Sequence, residues 1–290
     1  MNKSILTAII ATTLIAGFAS SDAGARERGR SMHRTGNAHE GSVSRERDNA
    51  RFDSDRQRDW QRDGQGNASG STSHTVTGAN GGTAERQGSY YRNADGSAGH
   101  EGSMSATGKD GGTMQSSGST TRDADGNVSG SRSTTATGKN GGTYTGSTSW
   151  DNGQVTHTGT VTGANGGSAE VNGSYTRGED GKFDGGRTTT ATGKNGGTYT
   201  GSTTLNDGQV DHTGTRTGAN GGTVESSGQY TRGEDGKVDG SRTSTATGKN
   251  GATYNGSTTV TDGQVSHTGT CTNAAGAVVD CPQRKDDDKN

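Results

Sequence analysis

From residue 71 onward one short phrase keeps returning, and it limits what the chain can fold into more than any other feature. Thr-Gly-Lys/Ala-Asn/Asp-Gly-Gly begins at Thr77, Thr107, Thr137, Thr162, Thr192 and Thr217, is altered at Thr247 and degenerate at Thr272. Intervals of roughly 25 or 30 residues between copies mark an array of one supersecondary unit. The later copies form a 55-residue super-repeat, seen in Tyr144/Tyr199/Tyr254, His157/His212/His267 and Arg132/Arg187/Arg242. Between the motifs stands a second turn signal, such as Asn152-Gly153, Asp207-Gly208 and Asp262-Gly263. Asn-Gly and Asp-Gly between β-prone runs are strong hairpin signals. Counting both kinds gives 15 turns and about 16 short strands.

The turns fix a register. A two-residue turn at Asp207-Gly208 sets Leu205 against Val210, Thr203 against His212, Gly201 against Gly214 and Tyr199 against Arg216. A three-residue loop centred on Asn195, closed by a glycine bulge, sets Ala191 against Tyr199 and keeps the same face continuous. That face carries Tyr, Val, Leu, Phe, Ala, His and a recurring Gly; the other is nearly all Thr and Ser. A glycine inside a strand weakens it unless something approaches closely. Either Tyr rings lie across the gap or a second sheet comes near. The expected fold is therefore all-β, an antiparallel sheet of β-hairpins with about 16 strands, with a flattened β-solenoid as the alternative. An outer-membrane barrel does not fit, because neither face is apolar enough to meet lipid.

Composition removes most functional classes. Of 290 residues 54 are Gly, and hydrophobic residues make up 22%. At roughly 25 cal/mol per Å² of buried apolar surface, so few large side chains cannot offset the entropy of ordering a compact enzyme-like globule. No enzyme is expected, and no catalytic or cofactor-binding residue is assigned. His157, His212 and His267 recur once per super-repeat, too far apart across any sheet to share a metal. Asp123-x-Asp125-Gly126-Asn127 resembles part of a calcium loop but lacks the downstream carboxylate, so a hairpin turn is the better reading. The Gly-Gly motifs have neither a Lys-Ser/Thr pair nor a following helix, which excludes a phosphate loop. With 29 Lys and Arg against 31 Asp and Glu, nucleic acid is not an expected partner.

Outside the repeat the chain changes character. Residues 1–25 read as a signal peptide, with Lys3, an apolar run from Ile5 and an Ala23-Gly24-Ala25 cleavage pattern, which implies export. No other segment could span a membrane as a helix. Residues 26–70 alternate Arg with Asp and Glu, as in Ser44-Arg45-Glu46-Arg47-Asp48, and are expected to be a disordered charged leader. Their functional reading is a surface tether, or a polyanion contact through the arginines with Trp60. The β-repeat domain runs over 71–281, and 282–290 is a charged tail. Cys271 and Cys281 are the only cysteines, and in an exported chain they are expected to form a local disulfide. Together with Pro282 they would cap the last hairpin.

An exported, Gly/Ser/Thr/Asn-rich chain of short β repeats is similar in general plan to secreted bacterial matrix and fibril proteins such as the curli-type functional amyloids. The likeness covers residues 71–281 as architecture. The longer repeat units, the sparse Gln and the abundant Thr depart from the shorter curli repeat, so no residue role is carried over. The resemblance implies a structural or adhesive role in an extracellular matrix, biofilm or fibril, with self-association. Secretion to the cell surface or exterior is expected, the periplasm being the alternative. A flat Thr-rich face would also suit ice or a surface polysaccharide.

Overall fold

A computed structural model describes residues 25–178, 181–233 and 235–281. The expected signal peptide, apart from Ala25, and the charged tail lie outside these residues.

The described chain is all-β, with strands β1 (Ala25–Thr35), β2 (Ala38–Asn49), β3 (Phe52–Arg62), β4 (Ala68–Gly78), β5 (Thr83–Arg92), β6 (Ala98–Thr107), β7 (Thr113–Arg122), β8 (Val128–Thr137), β9 (Thr143–Asp151) and β10 (Gln154–Thr162). They continue as β11 (Ser168–Arg177), β12 (Phe183–Thr192), β13 (Thr198–Asn206), β14 (Gln209–Thr217), β15 (Thr223–Arg232), β16 (Val238–Thr247), β17 (Thr253–Thr261), β18 (Gln264–Thr272) and β19 (Val278–Val279). Each strand pairs antiparallel with the next, so the sheet is one open meander and not a solenoid. Only consecutive strands touch, so no second layer of strands covers either face among the described residues. The repeat region supplies sixteen strands, β4 to β19.

Turn chemistry explains the meander. Asn152, Asp207 and Asp262 have φ of 44°, 48° and 53°, and each is followed by a glycine with φ of 80° to 88°. Two consecutive positive φ values define the type I′ turn, whose twist matches that of the flanking strands. In the longer motif the Gly193 N–H donates to the Gly197 carbonyl at 2.7 Å and the Gly196 N–H to the Gly193 carbonyl at 2.9 Å, closing the loop around Asn195. Gly196, at φ 84°, makes the bulge. The register follows: Leu205 faces Val210, Thr203 His212, and Tyr199 Arg216.

A conventional core is missing among the described residues. Cys271 is the one buried hydrophobic residue and Ser116 the one buried polar residue, while Val265 is 69% and Phe183 49% exposed. The glycine positions are filled from within the sheet: rings of Trp60, Tyr90, Trp150 and Tyr199 lie over Gly41, Gly70, Gly130 and Gly201. Of the two reasons that could place glycine inside strands, the structure shows the ring and not the second sheet.

The expectation of a disordered leader is corrected. Residues 26–70 carry β1, β2, β3 and the start of β4. Opposite charges alternating residue by residue do not prevent a strand; with a side-chain period of two they sort the signs onto opposite faces. The hairpins are closed locally by the Gly36-Asn37 loop between Thr35 and Ala38, and by Asn49, whose Oδ1 accepts from the Arg51 and Phe52 N–H groups at 2.9 and 3.0 Å. β3 then pairs along its whole length with β4, which gives the charged strands a template.

Candidate functional sites on the two sheet faces

Strand parity can be followed from pair to pair across the whole sheet, because directly opposite residues share a face. The result is a complete separation of charge. From β2 to β18 every strand arginine lies on one face, and every strand aspartate and glutamate lies on the other. The arginine face also carries the Trp, Val and Leu rows and all the strand tyrosines but Tyr91. The carboxylate face is otherwise mostly Ser and Thr. Among the described residues lysines stand in turns, where Lys109 pairs with Asp110 at 3.0 Å, Lys237 with Asp262 at 3.6 Å, and Lys182 with Asp207.

Both charge rows are densest in β2 to β5. On the basic face Arg45, Arg56, His74 and Arg86 stand opposite one another in successive strands. One residue away, on the reverse face, run Glu46, Asp55, Thr75 and Glu85. Like charges directly opposite each other repel. The effect is visible at Asp53, whose carboxyl is pushed above the usual range, first by its hydrogen bond with Asp48 and then by the charges of Asp48 and Glu46.

Farther along, the basic face holds a second row. Arg132, His157, Arg187, His212, Arg242 and His267 fall in one line, one on every second strand from β8 to β18. At about 4.8 Å per strand their spacing is about 10 Å. A threonine hydroxyl holds each imidazole through Nδ1 at 2.8 Å: Thr148 for His157, Thr203 for His212 and Thr258 for His267. Tyr254 adds a contact to His267 Nε2 at 2.9 Å. Arg132 donates through Nε to Ser116 at 3.0 Å. The sequence shows these residues as separate recurrences at 55-residue intervals; that the arginines and histidines interleave in one row needs the register. No cluster of three or more His, Cys, Asp or Glu close enough to share a metal ion occurs among the described residues.

The carboxylate face is concave over β3 to β9, forming an open trough of about 820 Å³ along Ser71, Ser89, Glu101, Ser119 and Ser131. Ser89 donates to Glu101 at 2.8 Å across its floor. Several turn carboxylates are held below their usual range by hydrogen bonds: Asp63 by Asn67, Asp95 by Ser97 and Asp123 by Asn127. In Asp123 the Asn127 side chain donates to Oδ2 at 2.8 Å, so this carboxylate serves its own hairpin turn.

Cys271 and Cys281 face each other at a Cα–Cα distance of 5.2 Å, with disulfide-compatible geometry. Cys271 stands opposite Tyr254 on β17 and Val279 on β19. Among the described residues no helix is long and apolar enough to cross a membrane. No protein-family model matches the chain, and no curated protein or solved structure shows significant similarity to it.

Proposed function

We propose that this chain is a secreted, self-associating structural or adhesive component of an extracellular matrix or cell surface. The observation that supports this reading best is a repetitive sheet one layer thick, with no second layer of strands over either face among the described residues and open troughs on both faces. Such a surface suits extended contact with other chains better than the enclosure of a small substrate. The apolar run of residues 5–18 and the Ala23-Gly24-Ala25 pattern support export. Fractionation of the producing cell, followed by electron microscopy of the purified mature chain, tests the proposal. Filaments or sheets in the exported fraction are the expected result. A chain that remains inside the cell, or stays monomeric in sedimentation at high concentration after long incubation, would overturn it.

The serine-lined trough favours one further reading, in which the hydroxyl face binds a surface polysaccharide. Ice is the flatter variant of the same idea, on the Thr rows of β9 to β18. Retention on polysaccharide columns and thermal hysteresis separate the two, and failure of both excludes them.

A further inference from the structure

The separation of charge points to a specific way for copies to meet. We infer that the basic face of one chain stacks on the carboxylate face of a second copy, related by translation along the sheet normal. The inference rests on the self-associating reading above and names its contact surface.

Three observations carry it. First, the rows match. Arg45, Arg56 and Arg86 lie one residue along the strand from Glu46, Asp55 and Glu85 on the reverse face. That offset is about 3.4 Å, and stacked sheets lie about 10 Å apart, so a translated copy sets the row of carboxylates within reach of the row of guanidinium groups. Second, the alternatives are penalised. Basic face on basic face would put Arg row on Arg row, and the reverse pairing would put carboxylate on carboxylate. Third, the basic face needs a cover. Val155, Phe183, Val224, Val238 and Val265 all point to it and are 37% to 69% exposed.

Charge balance favours a second copy over a polyanion. A surface built to hold a polyanion needs no equal carboxylate layer behind it. In a stack both layers are used, consistent with fourteen arginines on one face and fourteen aspartates and glutamates on the other from β2 to β18. A contact between two different faces, related by translation, does not close on itself. The product is an open-ended stack, distinct from growth at sheet edges.

Sedimentation velocity of the full mature chain tests this, in about 10 mM and about 1 M salt, where screening lengths are about 30 Å and about 3 Å. The wild type is expected to form large assemblies in low salt that dissociate at least tenfold in size in high salt. Two triple variants, R45E/R56E/R86E and E46K/D55K/E85K, should each fail to assemble, while an equimolar mixture of the two assembles again. Circular dichroism reports whether each variant keeps its strands. If either unfolds, the wild-type salt series still decides, together with a face-to-face repeat of about 10 Å in diffraction from low-salt pellets. Assemblies indifferent to salt, formed equally by both variants, would overturn stacking and leave self-association intact. A wild type that is monomeric throughout would overturn both, as would a monomer retained on a polyphosphate column, which would assign the basic face to a polyanion.

Discussion

The indole of Trp150 on β9 lies over Gly130 of β8, directly opposite it in the register, so that a Cβ at Gly130 would stand 2.5 Å from Trp150 Cζ2 and would also meet the Ser119 carbonyl. The ring supplies the packing that the glycine lacks. Gly130→Ala is expected to destabilise the chain by about 1–3 kcal/mol, since a backbone oxygen cannot swing aside as a side chain can. Gly201→Ala, where the atoms nearest the added carbon all belong to the Tyr199 ring and hydroxyl, should cost less. Thermal midpoints of the two variants check the order; equal midpoints would contradict it.

Asp207 has φ of 48° at the first position of its type I′ turn. Asp207→Val places a β-branched residue in the left-handed region and should cost about 1–2 kcal/mol, while Asp207→Asn should keep the turn. The Lys182 partner holds the Asp207 carboxyl below its usual range. A depressed folded value means that any stabilisation is present above the unfolded value, about 3.9, and is lost as pH falls through the folded one. The Asp207 carboxyl carbon shift, followed by NMR, should titrate below that of an unstructured aspartate and move up in Lys182→Met.

Asp53 behaves in the opposite sense. Its folded value is raised by Asp48 and then Glu46, so the folded chain binds this proton more tightly than the unfolded chain. Stability from this group therefore rises as pH falls through the raised value, down to the unfolded one. Asp53→Asn should raise the thermal midpoint at pH 7 and have less effect at pH 3. A variant that lowers the midpoint at pH 7 would show that the Asp48–Asp53 contact is not repulsive.

The C-terminal edge tests the cap. β19 has two residues, and Cys281 lies just beyond it, 5.2 Å from Cys271 in Cα–Cα distance. A disulfide closing a loop of this size is worth about 2–3 kcal/mol in the chain-entropy account. Cys281→Ser should raise amide exchange first in β18 and β19 and leave β8 unchanged. Alkylation of both thiols without prior reduction would refute the bond.

Most of the fold was legible because the turns announce themselves. Asp207-Gly208 and the loop around Asn195 are enough to pair Tyr199 with Arg216 and with Ala191. The charged N-terminal segment was not legible by the same route. Apolar periodicity is the usual signal of a strand, whereas Arg45, Arg47, Glu46 and Asp48 carry the period in the sign of their charge. Counting parity in that segment finds both the strands and their two faces. The interleaving of His157 between Arg132 and Arg187 depends on loop lengths summed over several turns, so it emerges only from the full register.

The described strands form one layer whose faces differ in charge and which no second layer of strands covers, and small-angle X-ray scattering of the mature chain in high salt measures that layer directly. Eighteen steps between nineteen strands, at about 4.8 Å each, give a body roughly 85 Å long and about 10 Å thick. A thickness of one sheet is the expected result. A thickness of about 20 Å, as two sheets packed about 10 Å apart would give, contradicts the single layer.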